Sequence, residues 1–247
     1  MIGLFVTATD TDIGKTIISG AILAAIKNRG INIGALKPLA SGCISNNEGV
    51  LEAEDATFLM RALDFPESKR TEVNMLALEP ALTPAVAAKV SGITINMATV
   101  MEHCYKVADS YEAVVVEGVG GITAPLVEDY LLADMIVAMN LPTILVATAG
   151  LGSINQVVLT AEYAKQRKIN LVGIIINKYD ENKAGILEES NLEYMTRLTG
   201  LPILGKFPML KNLEITSPQL GKIAEEYINI NEIIKMMELT SYCELLI

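Results

Sequence analysis

Six short apolar runs, regularly interrupted by stretches of helical character, limit what this 247-residue chain can fold into. They cover 2–7, 33–37, 113–117, 143–148, 171–177 and 203–207. The runs are apolar on both faces and mostly rich in Val and Ile, which is the pattern of strands buried from both sides. Helical stretches at 16–28, 154–167 and 188–199 lie between them, and Gly30, Gly173 and Gly200 stand where helices stop or strands start. This alternation predicts a doubly wound, mostly parallel sheet, with ligands gathered at the C-terminal strand ends. With 51% hydrophobic residues, 1–247 is expected to form a single α/β domain with a sizeable core. The stretch 43–111 shows no clear strand, 79–84 is expected to be a loop, and the tail from Ile223 reads as helical.

The first run leads into Thr9-Asp10-Thr11-Asp12-Ile13-Gly14-Lys15-Thr16 and then a helix. Strand, loop and helix supply the context that a phosphate-binding loop requires. Loop N–H groups and the helix N-terminus would face a polyphosphate. Lys15 would reach its outer phosphates, and the Thr16 hydroxyl would ligate Mg²⁺. The usual opening glycine is missing: Thr9 holds that place, or Ala8 if the loop is one residue longer.

Other chemically useful residues also stand at strand ends. Lys37-Pro38 closes the second run and precedes Ser41-Gly42; Glu117 closes the third before Gly118-Val119-Gly120-Gly121; Asn177-Lys178-Tyr179-Asp180 closes the fifth. Glu117 reads either as a second acidic ligand for Mg²⁺ or as a buried acid paired with a lysine. Spacing alone leaves Lys37 open between a site residue and an exposed strand-end lysine. Asn177-Lys178-Tyr179-Asp180 is similar to the base-reading N-K-x-D of GTPases, or is a solvated loop. His103, the only histidine, lies on a helical stretch and reads as a partly buried helix residue, so Ser-His-Asp catalysis has little support. Met97, Met101, Met236 and Met237 read as core filling.

The net charge of −10, with no basic stripe, argues against nucleic acid or an anionic membrane as the main partner. No apolar run reaches membrane-spanning length. Cys43, Cys104 and Cys243 lack metal-ligand spacing, and with no basic leader before the first strand the chain is expected to be cytoplasmic with reduced thiols.

Together these motifs resemble dethiobiotin synthetase, the ATP-dependent ligase of biotin biosynthesis, from Ile2 to about Leu210. The residues carrying the resemblance are Thr7 to Thr16, Lys37-Pro38-Leu39-Ala40-Ser41-Gly42, Asp55, Val116 to Gly121, Leu151 to Asn155, Glu193-Tyr194-Met195 and Leu204 to Pro208. The resemblance implies a Rossmann-like sheet and a homodimer with the active site at its interface. The implied substrates are 7,8-diaminopelargonate, CO₂ and ATP, with Mg²⁺ as cofactor.

The resemblance also assigns roles. Lys15 and Lys37 would stabilise the carbamate and the transferring phosphoryl group, and Thr16, Asp55 and Glu117 would bind Mg²⁺. Asp12, Ile13, Gly14, Lys15, Thr16 and Ile17 would cradle the nucleotide phosphates. Asn177 would read the adenine, with Pro208 and Leu210 lining its pocket. Thr11, Asp12, Ser41, Thr83 and Pro84 would contact the substrate. Gly152, Ser153, Ile154 and Asn155 would offer helix N–H groups to its carboxylate, and these, with Tyr194, are expected from the neighbouring subunit. This chain departs from the family pattern at Ala8, at Asp12 where Glu is usual, at Ile122 and at Lys178. The alternative is a P-loop nucleotide switch. Against it, the extra loop lysine of partitioning ATPases is replaced by Thr9 or Asp10, and the GTPase D-x-x-G by Glu117-Gly118.

Overall fold

In a computed structural model, which describes the backbone of residues 1–243 and side chains as far as Met237, all six runs form strands. They are β1 (Gly3–Ala8), β2 (Ile33–Leu36), β3 (Ala113–Glu117), β4 (Thr143–Ala147), β5 (Leu171–Ile176) and β6 (Ile203–Lys206). Every neighbouring pair is parallel, in the order β6-β5-β4-β1-β3-β2. The order reverses at β1, so the loop leaving β1 opens where an α/β sheet collects ligands.

Alternation along each strand divides the core. Leu4, Val6 and Ala8 of β1 face α1 (Lys15–Asn28), α2 (Glu54–Leu63), α8 (Ser217–Tyr227) and α9 (Ile230–Cys243). Phe5, with Val114 and Val116 of β3, faces α3 (Pro84–Val90), α4 (Met97–Ala108) and α5 (Leu132–Met139). Leu145 and Ile174 face α6 (Ser153–Gln166) and α7 (Ile186–Thr199). From Ile18 to Ile26 α1 is buried without a break, and burial of its isoleucines stabilises the fold by about 1.5–3 kcal/mol each. This needs close approach on two sides. A Cβ on Gly20 would stand 2.5 Å from the Phe58 ring, and one on Gly221 of α8 would stand 2.7 Å from the Ala24 carbonyl oxygen.

Proline ends β2. Pro38 has no N–H to continue the ladder, and the chain leaves the sheet at Lys37, whose own N–H donates to Val73 O at 2.7 Å.

The region 43–111 differs from expectation. It holds the two-residue strands Ile44–Ser45 and Leu51–Glu52, and Leu76–Leu78, which pairs with Leu39–Ser41. Ladders this short show no readable period; they form because loop backbone groups need partners. Of 79–84, only Pro84 is helical, as the first residue of α3. Met97, Met101 and Met236 pack partly buried against the core, and Met237 is buried in it. His103 is half-buried on α4, its Nε2 3.0 Å from Glu72 O. Cys43 and Cys104 are buried free thiols, and burial pushes Cys104 up to about 12; the Cys243 side chain lies outside the described residues. Among the described residues no helix is long and apolar enough to cross a membrane.

Candidate active site

The loop after β1 is shaped by two left-handed residues, Asp12 (φ 59°) and Gly14 (φ 97°), the latter capping α1. Ala8 and Thr9 keep negative φ, so the missing opening glycine costs no backbone strain. Gly14 is required by its surroundings as well, because a Cβ there would meet Asn177 Nδ2 at 2.1 Å. Two side chains from the end of β5 hold the loop. Asn177 Nδ2 donates to Ile13 O and Lys178 Nζ to Asp12 O, both at 2.8 Å.

The parallel register sets Leu36 beside Val116, and so Lys37 beside Glu117. Lys37 is only 2% exposed and the Glu117 side chain is fully buried. Lys37 Nζ donates to Glu117 Oε1 at 2.7 Å and to Gly118 O at 2.9 Å, and pairs with Asp55 Oδ2 at 2.7 Å. Thr16 Oγ1 lies 2.8 Å from both Asp55 Oδ1 and Glu117 Oε1. Burial alone would lower the Lys37 pKa, but Glu117 and then Asp55 outweigh it, and the ammonium is held above its usual range. Asp55 is half-exposed; burial raises it, yet Lys37 and then the Thr16 hydroxyl hold it below the usual carboxylate range. Lys15, buried at the start of α1, is lowered, first by burial and then by the like charge of Lys37. Its Nζ donates to Asp10 O at 3.3 Å.

The oxygen set of Thr16, Asp55 and Glu117 fits Mg²⁺. A hydroxyl carries one proton and cannot donate to both carboxylates at once. Glu117 Oε2 is buried with no hydrogen-bond partner, an acceptor that a cation would satisfy. Two carboxylates and a hydroxyl make the sparse, hard set that Mg²⁺ uses when phosphates and water complete its shell. Among the described residues no group of three His, Cys, Asp or Glu side chains offers an all-protein cage.

A cavity of about 1200 Å³ opens above this network, enough for a nucleotide and a small substrate together. Thr11, Asp12, Gly14, Lys15, Thr16, Ile17, Lys37, Ser41, Asp55, Thr83 and Pro84 all line it. Glu117 lies beneath, and Ile13 and Asn177 stand behind the loop. Val119, Gly120 and Lys178 line it too. Leu210, Pro208, Gly152 to Asn155 and Tyr194 do not. Leu210 lines a separate cavity of about 500 Å³ against α8, and Pro208 is half-buried beside neither. Gly152 (φ 87°) caps α6, Ser153 is buried with its hydroxyl 3.3 Å from Thr148 Oγ1, and Ile154 and Asn155 follow on that helix. Tyr194 is 41% exposed on α7, under the Arg197 guanidinium at 4.3 Å.

Sequence reading missed three supports. Asn74 Nδ2 donates to Lys37 O at 2.7 Å, Asn191 Nδ2 holds Ala149 O and Gly150 O ahead of α6, and Gly118 O takes the third Lys37 donor. Only Gly118 stood in a motif that drew attention. Asn74 and Asn191 carry no local signal, because their partners are distant backbone carbonyls.

Fold and loop define a P-loop nucleotide-binding protein. The AAA domain family model matches residues 2–217. The fold is similar to that of a ParA family ATPase from Chlorobium tepidum TLS, with a TM-score of 0.53 and 14% identity over 96% of this chain and 97% of that one. The sequence is 34% identical to ATP-dependent dethiobiotin synthetase BioD of Bacillus licheniformis, over 97% of this chain and 98% of that one. It is 36% identical to the BioD of Bacillus subtilis (strain 168), over 94% and 96%. The chain belongs to the ATP-dependent dethiobiotin synthetase family, a family of ligases.

Proposed function

We propose that this cavity makes dethiobiotin from 7,8-diaminopelargonate, CO₂ and ATP. One substrate amine attacks CO₂ and loses a proton, giving a carbamate. A carbamate oxygen attacks the γ-phosphorus and ADP leaves. The second amine then attacks the carbonyl carbon of the carbamic–phosphoric anhydride, expelling phosphate and closing the cyclic urea. The observation that carries this reading is that Lys37, the phosphate loop and Ser41, Thr83 and Pro84 line one and the same cavity.

The chain contributes positioning and charge. Loop N–H groups from Ile13 to Ile17 bind the phosphates, and Lys15 neutralises the outer ones. Lys37 holds the carbamate and the moving phosphoryl group. Thr11, Asp12 and Ser41 orient the amine end, with Thr83 and Pro84 beside it. Thr16, Asp55 and Glu117 would hold Mg²⁺, which supplies charge neutralisation at the β- and γ-phosphate oxygens. Asn177 would read the adenine, with Pro208 and Leu210 beside it; since Leu210 lines the separate cavity of about 500 Å³, the base would extend past the rim of the larger one.

Gly152 to Asn155 and Tyr194 fit the substrate carboxylate only as part of a second copy, and we read the enzyme as a homodimer. Supporting this, Leu151 next to Gly152 is 92% exposed and these residues lie outside the cavity of their own chain. The free thiols accord with a cytoplasmic enzyme.

Asp180, the residue that would read guanine, accepts from Asn182 N at 3.1 Å and pairs with exposed Lys183 at 3.0 Å. A guanine would have to compete only with these surface contacts, so the nucleotide is part of the test. The testing experiment is a mass-spectrometric product assay with 7,8-diaminopelargonate, bicarbonate, Mg²⁺ and ATP, GTP or CTP in parallel. Dethiobiotin formed only in the complete mixture supports the proposal; nucleotide hydrolysis without dethiobiotin refutes it.

A further inference from the structure

The Lys37 ammonium stands on one oxygen of each carboxylate that would hold the metal, Asp55 Oδ2 and Glu117 Oε1, while Glu117 Oε2 stays unpartnered. It has three N–H donors, and all three are committed: to Asp55 Oδ2, to Glu117 Oε1 and to Gly118 O. Two of these partners belong to the Mg²⁺ ligand set proposed above, and this inference rests on that assignment. The third ligand, Thr16 Oγ1, contacts the same two carboxylates. Lys37 therefore supplies the positive charge that balances these two carboxylates. A divalent cation held by these two carboxylates would lie close to the buried ammonium that shares them, and the two like charges repel.

The geometry points to a competition in which Lys37 excludes bare Mg²⁺ from the free protein and is released toward the substrate only when the metal arrives with the nucleotide phosphates. The phosphates add negative charge and oxygen ligands, which tips the exchange toward the metal. Lys37 lines the cavity, so a donor withdrawn from a carboxylate has substrate space to turn into. The residue that handles the carbamate is thus occupied until the phosphoryl donor is in place.

The test is Mn²⁺ binding to nucleotide-free protein, read from the electron paramagnetic resonance signal of free Mn²⁺. The Lys37→Met variant removes the charge and keeps the stem, and should bind Mn²⁺ at least tenfold more tightly than the wild type. Lys37→Arg keeps the charge and should stay weak. Lys15→Met removes a neighbouring charge that pairs with neither carboxylate, and should change affinity by less than threefold. Equal affinity in Lys37→Met and wild type overturns the inference. So does equal tightening in Lys15→Met, which would make the effect one of general field. If no protein binds Mn²⁺ even with a non-hydrolysable ATP analogue, the metal assignment itself falls. Should Lys37→Met fail to fold, a wild-type crystal structure with Mn²⁺ and the analogue decides. Lys37 Nζ should then lie beyond hydrogen-bond distance of Asp55 or Glu117, and retention of both contacts overturns the inference.

Discussion

Lys37 and Glu117 end neighbouring parallel strands side by side, and their charged atoms meet at 2.7 Å with almost no exposure to water. The strand register alone brings them together. Removing Lys37 leaves a buried carboxylate without its cation, which costs about 3–5 kcal/mol. Lys37→Ala should therefore melt lower by on the order of 10 °C in differential scanning calorimetry. Its turnover should fall at least ~100-fold while ATP affinity measured without divalent metal stays within a few-fold, because the phosphate loop is untouched. Normal dethiobiotin formation by this variant would remove Lys37 from the chemistry.

Glu117→Gln keeps the shape and loses the charge. The Mg²⁺ concentration giving half-maximal activity should rise by roughly 10-fold or more, as for other losses around a metal site. A titration curve superimposable on that of the wild type would exclude Glu117 as a ligand.

Gly14→Ala puts a Cβ where Asn177 Nδ2 now sits, on a residue with φ of 97°. Left-handed backbone on a non-glycine residue costs on the order of 1–3 kcal/mol, and the Asn177 bond to Ile13 O must break. Isothermal titration should show ATP binding weakened at least ~10-fold.

Lys15 is depressed from its usual 10.5 by burial and by Lys37, whereas Lys37 is raised. As pH rises, Lys15 is the first of the two to lose its proton, at a pH below 10.5. ATP affinity should weaken over that interval. The Lys37 contribution to folding is fully present below 10.5 and is lost only as pH passes its higher folded value. On the acid side, Asp55 is held below its usual 3.8, so its contribution is present above 3.8 and lost as pH falls through the lower folded value. Binding titrations and thermal melts over one pH series should show alkaline loss of ATP affinity preceding loss of stability. The reverse order would contradict the assignment of Lys15 to the phosphates.

The sheet was legible because its inner strands are buried on both faces and write continuous apolar runs, whereas the edge strand Ile203–Lys206 is only partly buried; even the boundaries at Ala113–Glu117 came through unchanged. The phosphate loop and Lys37 were legible because they sit at strand ends, where topology gathers them, whereas Asp55, Thr83 and Pro84, off the main sheet, were named through resemblance. Lys37 was half legible, since spacing could not distinguish an exposed lysine from one sealed by Glu117 and Asp55. Asn74 and Lys178 were invisible as supports, because a side chain reaching a distant carbonyl leaves no periodic mark. The segments around Ile44–Ser45 and Leu51–Glu52 failed for want of length. Gly152 to Asn155 also stand after a predicted strand, but their role and that of Tyr194 came through resemblance alone, and within one chain they stay outside the cavity.

Helix α1 begins at the phosphates and runs with nine consecutive residues, Ile18 to Ile26, sealed inside the molecule. Its far end is tied by Arg29 to Glu225 and Asn231. An end of the helix anchored this way is not built to open as an independent flap, so a ligand bound at it should raise the melting temperature of the whole fold. A simple dye-based melting screen of nucleotide and substrate fragments would rank occupants directly, with ligand at ~100 times its Kd adding about 2.7 kcal/mol, so the protein carries its own thermometer.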